Sequence, residues 1–136
     1  VADKIRLEIV TPYGLVFSDE ADEVTVSGTE GEFGVLPGHA PFVTTLKVGM
    51  LICKKAAGTQ FFFVNWGYAE VGPDKVLVLA DSAEKAEDID VERAKAARAR
   101  AEERLRKAEE VDFARAESSL ERSLTRLQVA ERKMSR

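Results

Sequence analysis

The amino-acid sequence predicts an α+β chain: an N-terminal antiparallel β-sandwich over residues 1–84, followed by a C-terminal antiparallel two-helix hairpin over residues 85–136. Three observations carry this. All nine glycines lie at or before Gly72 and all four prolines at or before Pro73, so turn chemistry stops abruptly. Apolar residues recur at period two before that point and at heptad spacing after it. The first part is acidic, whereas from Glu84 onward basic and acidic residues nearly balance.

In chain order, Ile5, Leu7 and Ile9 alternate with Lys4, Arg6 and Glu8, as a half-buried strand requires. The "TPYG" turn then breaks the run, "LVF" begins a second strand, and Val24 and Val26 repeat the alternation before Gly28. "FVTTLKV", "MLICKK", "FFFVNWGYAEV" and "KVLVLA" read as further strands, punctuated by Gly49, "AAGT" and "GPD". Proline presets φ and aspartate bonds its own backbone, so Pro73–Asp74 reads as a turn. Short strands at this turn frequency predict a sandwich or flattened barrel.

Beyond Asp74 the chain is rich in Ala, Glu, Arg and Lys, the strong helix formers. Asp88 or Asp90 caps the first helix and Glu92 puts negative charge in its first turn. Ala94, Ala101 and Ala108 repeat at seven, joined by Val91, Ala97 and Leu105. Phe113, Leu120, Leu127 and Met134 repeat likewise, joined by Ala116, Leu124 and Ala130. Matching stripes broken near Glu109–Asp112 predict a hairpin; no glycine or proline marks the break, so one long helix is the alternative. An alanine seam buries little area at about 25 cal/mol per Å², so the hairpin is expected to open or detach at a cost of a few kcal/mol.

The composition excludes several chemistries. No apolar run approaches the roughly 18 residues of a membrane span, and the first residues show no signal-peptide pattern. A net charge of −4 argues against a nucleic-acid binder. The single cysteine, Cys53, cannot form an internal disulfide and fits a reduced compartment. His39 is the only histidine and has no nucleophile motif beside it, so no catalytic residues are assigned. No metal set is present; "SDEADE", Ser18–Glu23, lacks calcium-loop spacing and reads as a solvated connection between strands. "GTEGEFG" lacks the lysine and following helix of a phosphate loop, and its two glutamates would repel phosphate.

The segments "GTEGEFGVLPGHAPFVTTLKVGML" and "VLADSAEKAEDIDVERAKAA", in this order, resemble the epsilon subunit of bacterial F-type ATP synthases, equivalent to the mitochondrial delta subunit. The resemblance runs from about Ile5 to Lys133. It implies a non-catalytic central-stalk subunit of the rotor, coupling proton flow through the ring of c subunits to ATP synthesis in the catalytic head. Glu30, Gly31 and Glu32 are then expected near the polar loops of the c-ring, and His39 near the gamma subunit.

The resemblance also implies a regulatory hairpin whose helices extend into the alpha/beta head and block ATP hydrolysis through basic side chains; Arg115, Arg122, Arg126, Arg132 and Lys133 are available. Some members bind ATP through an "I/L-D-x-x-R-A" motif, matched here by Ile89, Asp90, Arg93 and Ala94, with Arg100, Arg122, Arg126 and Glu84 matching their other residues. ATP would be a regulatory ligand; no cofactor is required, and the magnesium dependence is left open. The implied location is the cytoplasmic face of the bacterial inner membrane, peripheral through the complex; the alternative is the matrix side of the mitochondrial inner membrane. Two rival readings stand beside this: a free-standing ATP-sensing module, and an enzyme on a jelly-roll-like sandwich.

Overall fold

The computed structural model describes residues 4–107 and 110–134. They form two compact units that meet between Lys85 and Ala86, one residue beyond the boundary read from the sequence, because the last strand runs on through Lys85.

The first unit holds eight strands: β1 (Ile5–Thr11), β2 (Gly14–Ala21), β3 (Glu23–Gly28), β4 (Gly31–Val35), β5 (Phe42–Leu46), β6 (Gly49–Lys55), β7 (Gly58–Val71) and β8 (Lys75–Lys85). The order is β2-β1-β8-β7-β5-β3-β4, with β6 pairing both β3 and β7. Every pairing is antiparallel except one: β1 runs parallel to β8, Arg6 opposite Lys75 and Val10 opposite Leu79. The sandwich is antiparallel, as the sequence predicts, apart from this one pairing. β1 and β8 are far apart in sequence, and no hairpin dictates their relative direction.

The two layers share their long strands. The first half of β7 pairs with β6 and the second half with β5, while β8 follows β7 along nearly its whole length. The inward positions of β7 are Phe62 and Val64 before the junction but Ala69 and Val71 after it. That change of parity is a corner at which the strand passes from one layer to the other. It is made by two consecutive positive φ values, 50° at Trp66 and 142° at Gly67. For a tryptophan this conformation costs about 1 kcal/mol or more. Gly67 is required for a second reason: a β-carbon there would lie 2.0 Å from the Leu79 carbonyl oxygen.

Between the layers lies a core of Ile5, Leu7, Ile9, Val24, Val26, Phe62, Val76 and Val78, with Phe17 tilted against Phe62 at 4.8 Å. Cys53 is part of this core, and burial pushes its thiol up to about 11, which makes it a packing group.

One local expectation is overturned. "SDEADE" is not a connection: β2 continues through Ala21 and β3 begins at Glu23, leaving only Asp22 between them. Two lysines make this tolerable, Lys55 of β6 bonding Asp19 at 2.6 Å and Lys4, just before β1, pairing with Asp22. A strand that the sequence pattern does not mark, β4, has Phe33 and Val35 turned inward while Glu32 and Gly34 stay exposed.

The ion pairs set an acid limit. The Lys55 hydrogen bond holds Asp19 below its ordinary value, and the Lys75 hydrogen bond does the same for Glu8. Carboxylates depressed on folding stabilise above their unfolded pKa and lose that contribution as pH falls through the folded value. The thermal midpoint is therefore expected to fall on acidification below about pH 4. Asp19→Asn should flatten that fall; an unchanged acid slope in the variant would count against the assignment.

The second unit begins with a short 3-10 turn, Ala86–Asp88, followed by α1 (Val91–Lys107) and α2 (Glu110–Met134). Two helices are described, α1 ending at Lys107 and α2 beginning at Glu110; the expected break near Glu109–Asp112 falls partly outside the described residues. Asp90 caps α1, its Oδ1 accepting from Arg93 N–H at 3.0 Å. α2 packs against both α1 and the turn that precedes α1, which makes the pair antiparallel.

The seam is narrower than the sequence suggests. Ala94, Ala101, Ala116, Ser123 and Ala130 are buried, whereas Leu105, Leu120, Leu124 and Leu127 are only half-buried and Phe113 is 48% exposed. Expected seam residue Ala108 and the side chain of Met134 lie outside the described residues. Among the described residues, Val129 is the one larger side chain of α2 that is fully buried; the rest of the buried positions on the two helices carry small side chains. The Ser123 hydroxyl donates to the Ser119 and Leu120 carbonyls of its own helix, so no described hydrogen bond crosses the seam at that position.

Candidate functional site: docking surfaces and the arginine flank

The loop from Leu36 to Pro41 is held by two backbone bonds. Gly38 N–H donates to the Pro73 carbonyl at 2.7 Å, tying it to the β7–β8 turn, and His39 N–H donates to Leu36 at 3.1 Å. The His39 ring lies 5.8 Å from Phe42, which meets Phe33 edge-on at 5.1 Å. His39 Nδ1 sits 2.6 Å from the Ala40 carbonyl, so the local tautomer carries its proton there. An aromatic stack and two backbone bonds leave this loop one shape to present.

Glu30, Gly31 and Glu32 are elsewhere. Thr29 and Glu30 form the β3–β4 turn, where Gly31 has φ 132°, a value that a glycine supplies without strain. The turn is pinned to the far end of β5 by the Gly28–Leu46 pairing and the Thr29 N–H to Thr45 bond of 3.0 Å. His39 precedes the near end of β5, so a five-residue strand of roughly 13 Å separates the two groups. Glu30 and Glu32 are exposed. The structure thus makes two surfaces from a stretch that is continuous in sequence.

A third surface was not singled out in the sequence. On the outward face of the first layer, Val43 (64% exposed), Tyr68 (56%) and Leu79 (44%) follow one another across β5, β7 and β8, with Leu15 (63%) beyond them on β2. The register sets them on one face: Val43 lies opposite Glu70 and diagonal to Tyr68, Tyr68 opposite Leu79, Leu79 opposite Val10, and Val10 opposite Leu15. A groove of about 460 Å³ runs into this face, lined by Phe42, Val43, Glu70, Val71, Lys75 and Leu77. A contiguous apolar strip of this kind marks an interaction surface. The signal was legible: "VLVLA" is apolar at both parities, the mark of a strand covered on both sides.

In the second unit, Ile89 is buried, and Asp90 spends one carboxylate oxygen on its cap. Arg93 and Arg100 directly precede seam residues Ala94 and Ala101, and Arg115 and Arg122 directly precede Ala116 and Ser123. In an antiparallel pair the positions preceding the seam face one another, so these four guanidiniums share a flank. Among the described residues no ion pair engages any of them, whereas the ion pairs of α1 join Glu92 to Lys95, Arg98 to Glu102, and Glu103 to Arg106 and Lys107. Arg126 and Arg132 also lie on α2; the side chain of Lys133 lies outside the described residues. Glu84 belongs to β8 of the first unit. No group of His, Cys, Asp or Glu suited to a metal occurs among the described residues, and no helix there is long and apolar enough to cross a membrane.

The model of the ATP synthase delta/epsilon chain β-sandwich domain matches residues 4–86, and that of the long α-helix domain of the same chain matches residues 87–131. The chain belongs to the ATP synthase delta/epsilon family. The ATP synthase epsilon chain of Geotalea uraniireducens is 58% identical over 106 residues, covering 78% of this chain and 77% of the relative. That of Thermodesulfovibrio yellowstonii is 58% identical over 104 residues, covering 76% and 74%. Among solved structures, a chain of the mitochondrial ATP synthase of Euglena gracilis shares the fold with a TM-score of 0.82 at 23% identity, over 98% of this chain and 83% of that one. Both units therefore follow the family's architecture, sandwich first and helices second.

Proposed function

We propose that this chain is a non-catalytic central-stalk subunit of a bacterial F-type ATP synthase, working by docking rather than by chemistry. The observation that carries this is the exposed apolar strip of Val43, Tyr68 and Leu79 on a rigid sheet, in a chain of the delta/epsilon family. The gamma subunit covers that strip and the His39 loop beside its groove. The carboxylates of Glu30 and Glu32 pair with polar loops of the c-ring at the other end of β5. Two separated surfaces on one stiff body suit a part that transmits rotation between two partners. The complex holds the chain peripherally at the cytoplasmic face of the inner membrane. This reading is favoured over a free-standing sensor module, which has no use for the strip.

Coupling tests it. Glu32→Lys should leave the chain folded and bound to its complex but lower ATP-driven proton pumping relative to ATP hydrolysis; an unchanged ratio would sink the c-ring assignment.

A regulatory role for the hairpin follows from the arginine flank. Four like charges on one face repel unless an anion lies among them, and a triphosphate or an acidic segment of the catalytic head supplies one. ATP would meet Arg93, Arg100 and Arg122, with the second oxygen of Asp90 accepting from the adenine amino group. Titration of the isolated chain with ATP should shift the NMR signals of Phe113 and the arginine side chains. No shift at millimolar ATP would end the nucleotide assignment and leave the acidic segment as the anion.

A further inference from the structure

We propose that Trp66 anchors the gamma-facing surface, carrying the Val43–Tyr68–Leu79 strip onto the corner of the sandwich. The inference rests on the docking reading above. The corner of β7 needs positive φ at two successive residues, and glycine takes such values without strain. Gly67 meets that need, while the preceding position holds a bulky side chain that avoids it. Trp66 is the one non-glycine residue with positive φ among the described residues.

The strain is not offset inside the fold. Trp66 is 48% exposed and takes no part in the buried core of the sandwich. Its indole N–H makes no hydrogen bond among the described residues. A large apolar ring, with a donor to place and held in a costly backbone state, gains what it lacks only from something outside the chain.

Its surroundings say what that is. Trp66 lies two residues before Tyr68 on β7. Asn65 pairs with Ser82 and Gly67 with Ala80, which puts Asp81 opposite Trp66 on β8. On the other side, Leu46 pairs with Gly67 and Gly49 with Val64, which puts Lys47 opposite it. Both Asp81 and Lys47 are exposed. An aromatic ring between an acid and a base, continuous with an apolar strip, has the layout of an interface anchor with a polar rim. The occupant is the protein surface that covers Tyr68 and Leu79, the gamma subunit, offering an apolar pocket and an acceptor for the indole.

The full chain is tested against its own ATP synthase complex stripped of this subunit. Trp66→Gly should leave the thermal midpoint unchanged or higher and weaken binding about tenfold, while Trp66→Phe keeps most of the affinity. Because the chain holds a single tryptophan, labelling with 5-fluorotryptophan gives one ¹⁹F signal, which should shift on binding. Wild-type affinity of Trp66→Gly alongside a weakened Tyr68→Ala overturns the anchor and leaves the docking reading standing. Wild-type affinity of both variants overturns the anchor and the docking reading together.

Discussion

Gly67→Ala is expected to cost the sandwich about 4 kcal/mol or more, a large share of the roughly 5–15 kcal/mol that holds a domain together. The added β-carbon would meet the Leu79 carbonyl oxygen at 2.0 Å and the Ala80 Cα at 2.8 Å. Both are backbone atoms of the paired strand, so no rotamer change relieves the overlap. The φ of 142° adds strain of its own, since an L side chain avoids that region. Gly34→Ala is the control: its β-carbon would meet nothing within 4 Å, and it should shift stability by less than about 1 kcal/mol. Urea unfolding of the two variants separates a strained corner from a general intolerance of substitution. Equal midpoints would refute the account of the corner.

The second large effect is on association. Leu79→Glu is expected to leave the free chain folded, because Leu79 is 44% exposed and its outward face borders solvent. In the complex the same carboxylate would sit in the middle of the apolar strip with no partner, at a cost of about 3 kcal/mol or more. That corresponds to a loss of affinity on the order of a hundredfold. Binding of the variant to a complex stripped of this subunit, followed by its dissociation rate, reads the effect directly. Wild-type affinity would remove the strip from the interface and with it the main support for the docking function.

The layout of the fold was readable wherever the information was local. β1, β7 and β8 appear as alternation or as apolar runs closed by turn residues, and α1 and α2 as heptads after the last proline. Non-local choices were not readable. Nothing in Ile5–Thr11 says that the strand will lie parallel to Lys75–Lys85. β4 escaped notice because its two inward residues, Phe33 and Val35, are embedded in glycines and glutamates that suggest a loop. In the hairpin, the expected Ala116 and Ala130 are buried, but Ser123 joins them unannounced, while Phe113, Leu120 and Leu127 stay partly or largely exposed.

The candidate site divides in the same way. The "EGE" and "PGHAP" residues announced themselves by composition, and the structure adds that they occupy opposite ends of β5. The apolar strip is assembled from four strands, each contributing one residue, so only the register brings it together. The arginine flank lies between these cases: its heptad spacing is visible in the sequence, but the shared face requires the antiparallel pairing of α1 with α2.

The parallel contact of β1 with β8 also bears on how the protein is made. Arg6 waits for Lys75, about 70 residues later, before the first strand has its inner neighbour. Until then β1 and β2 form an isolated hairpin, marginal in water at best. During synthesis the sandwich therefore closes late, once β8 has left the ribosome, whereas the helices that follow need only each other's local contacts. The slow step of folding is assigned to a pairing that joins the two ends of the sandwich, and weakening that pairing should slow refolding more than any change in the helices.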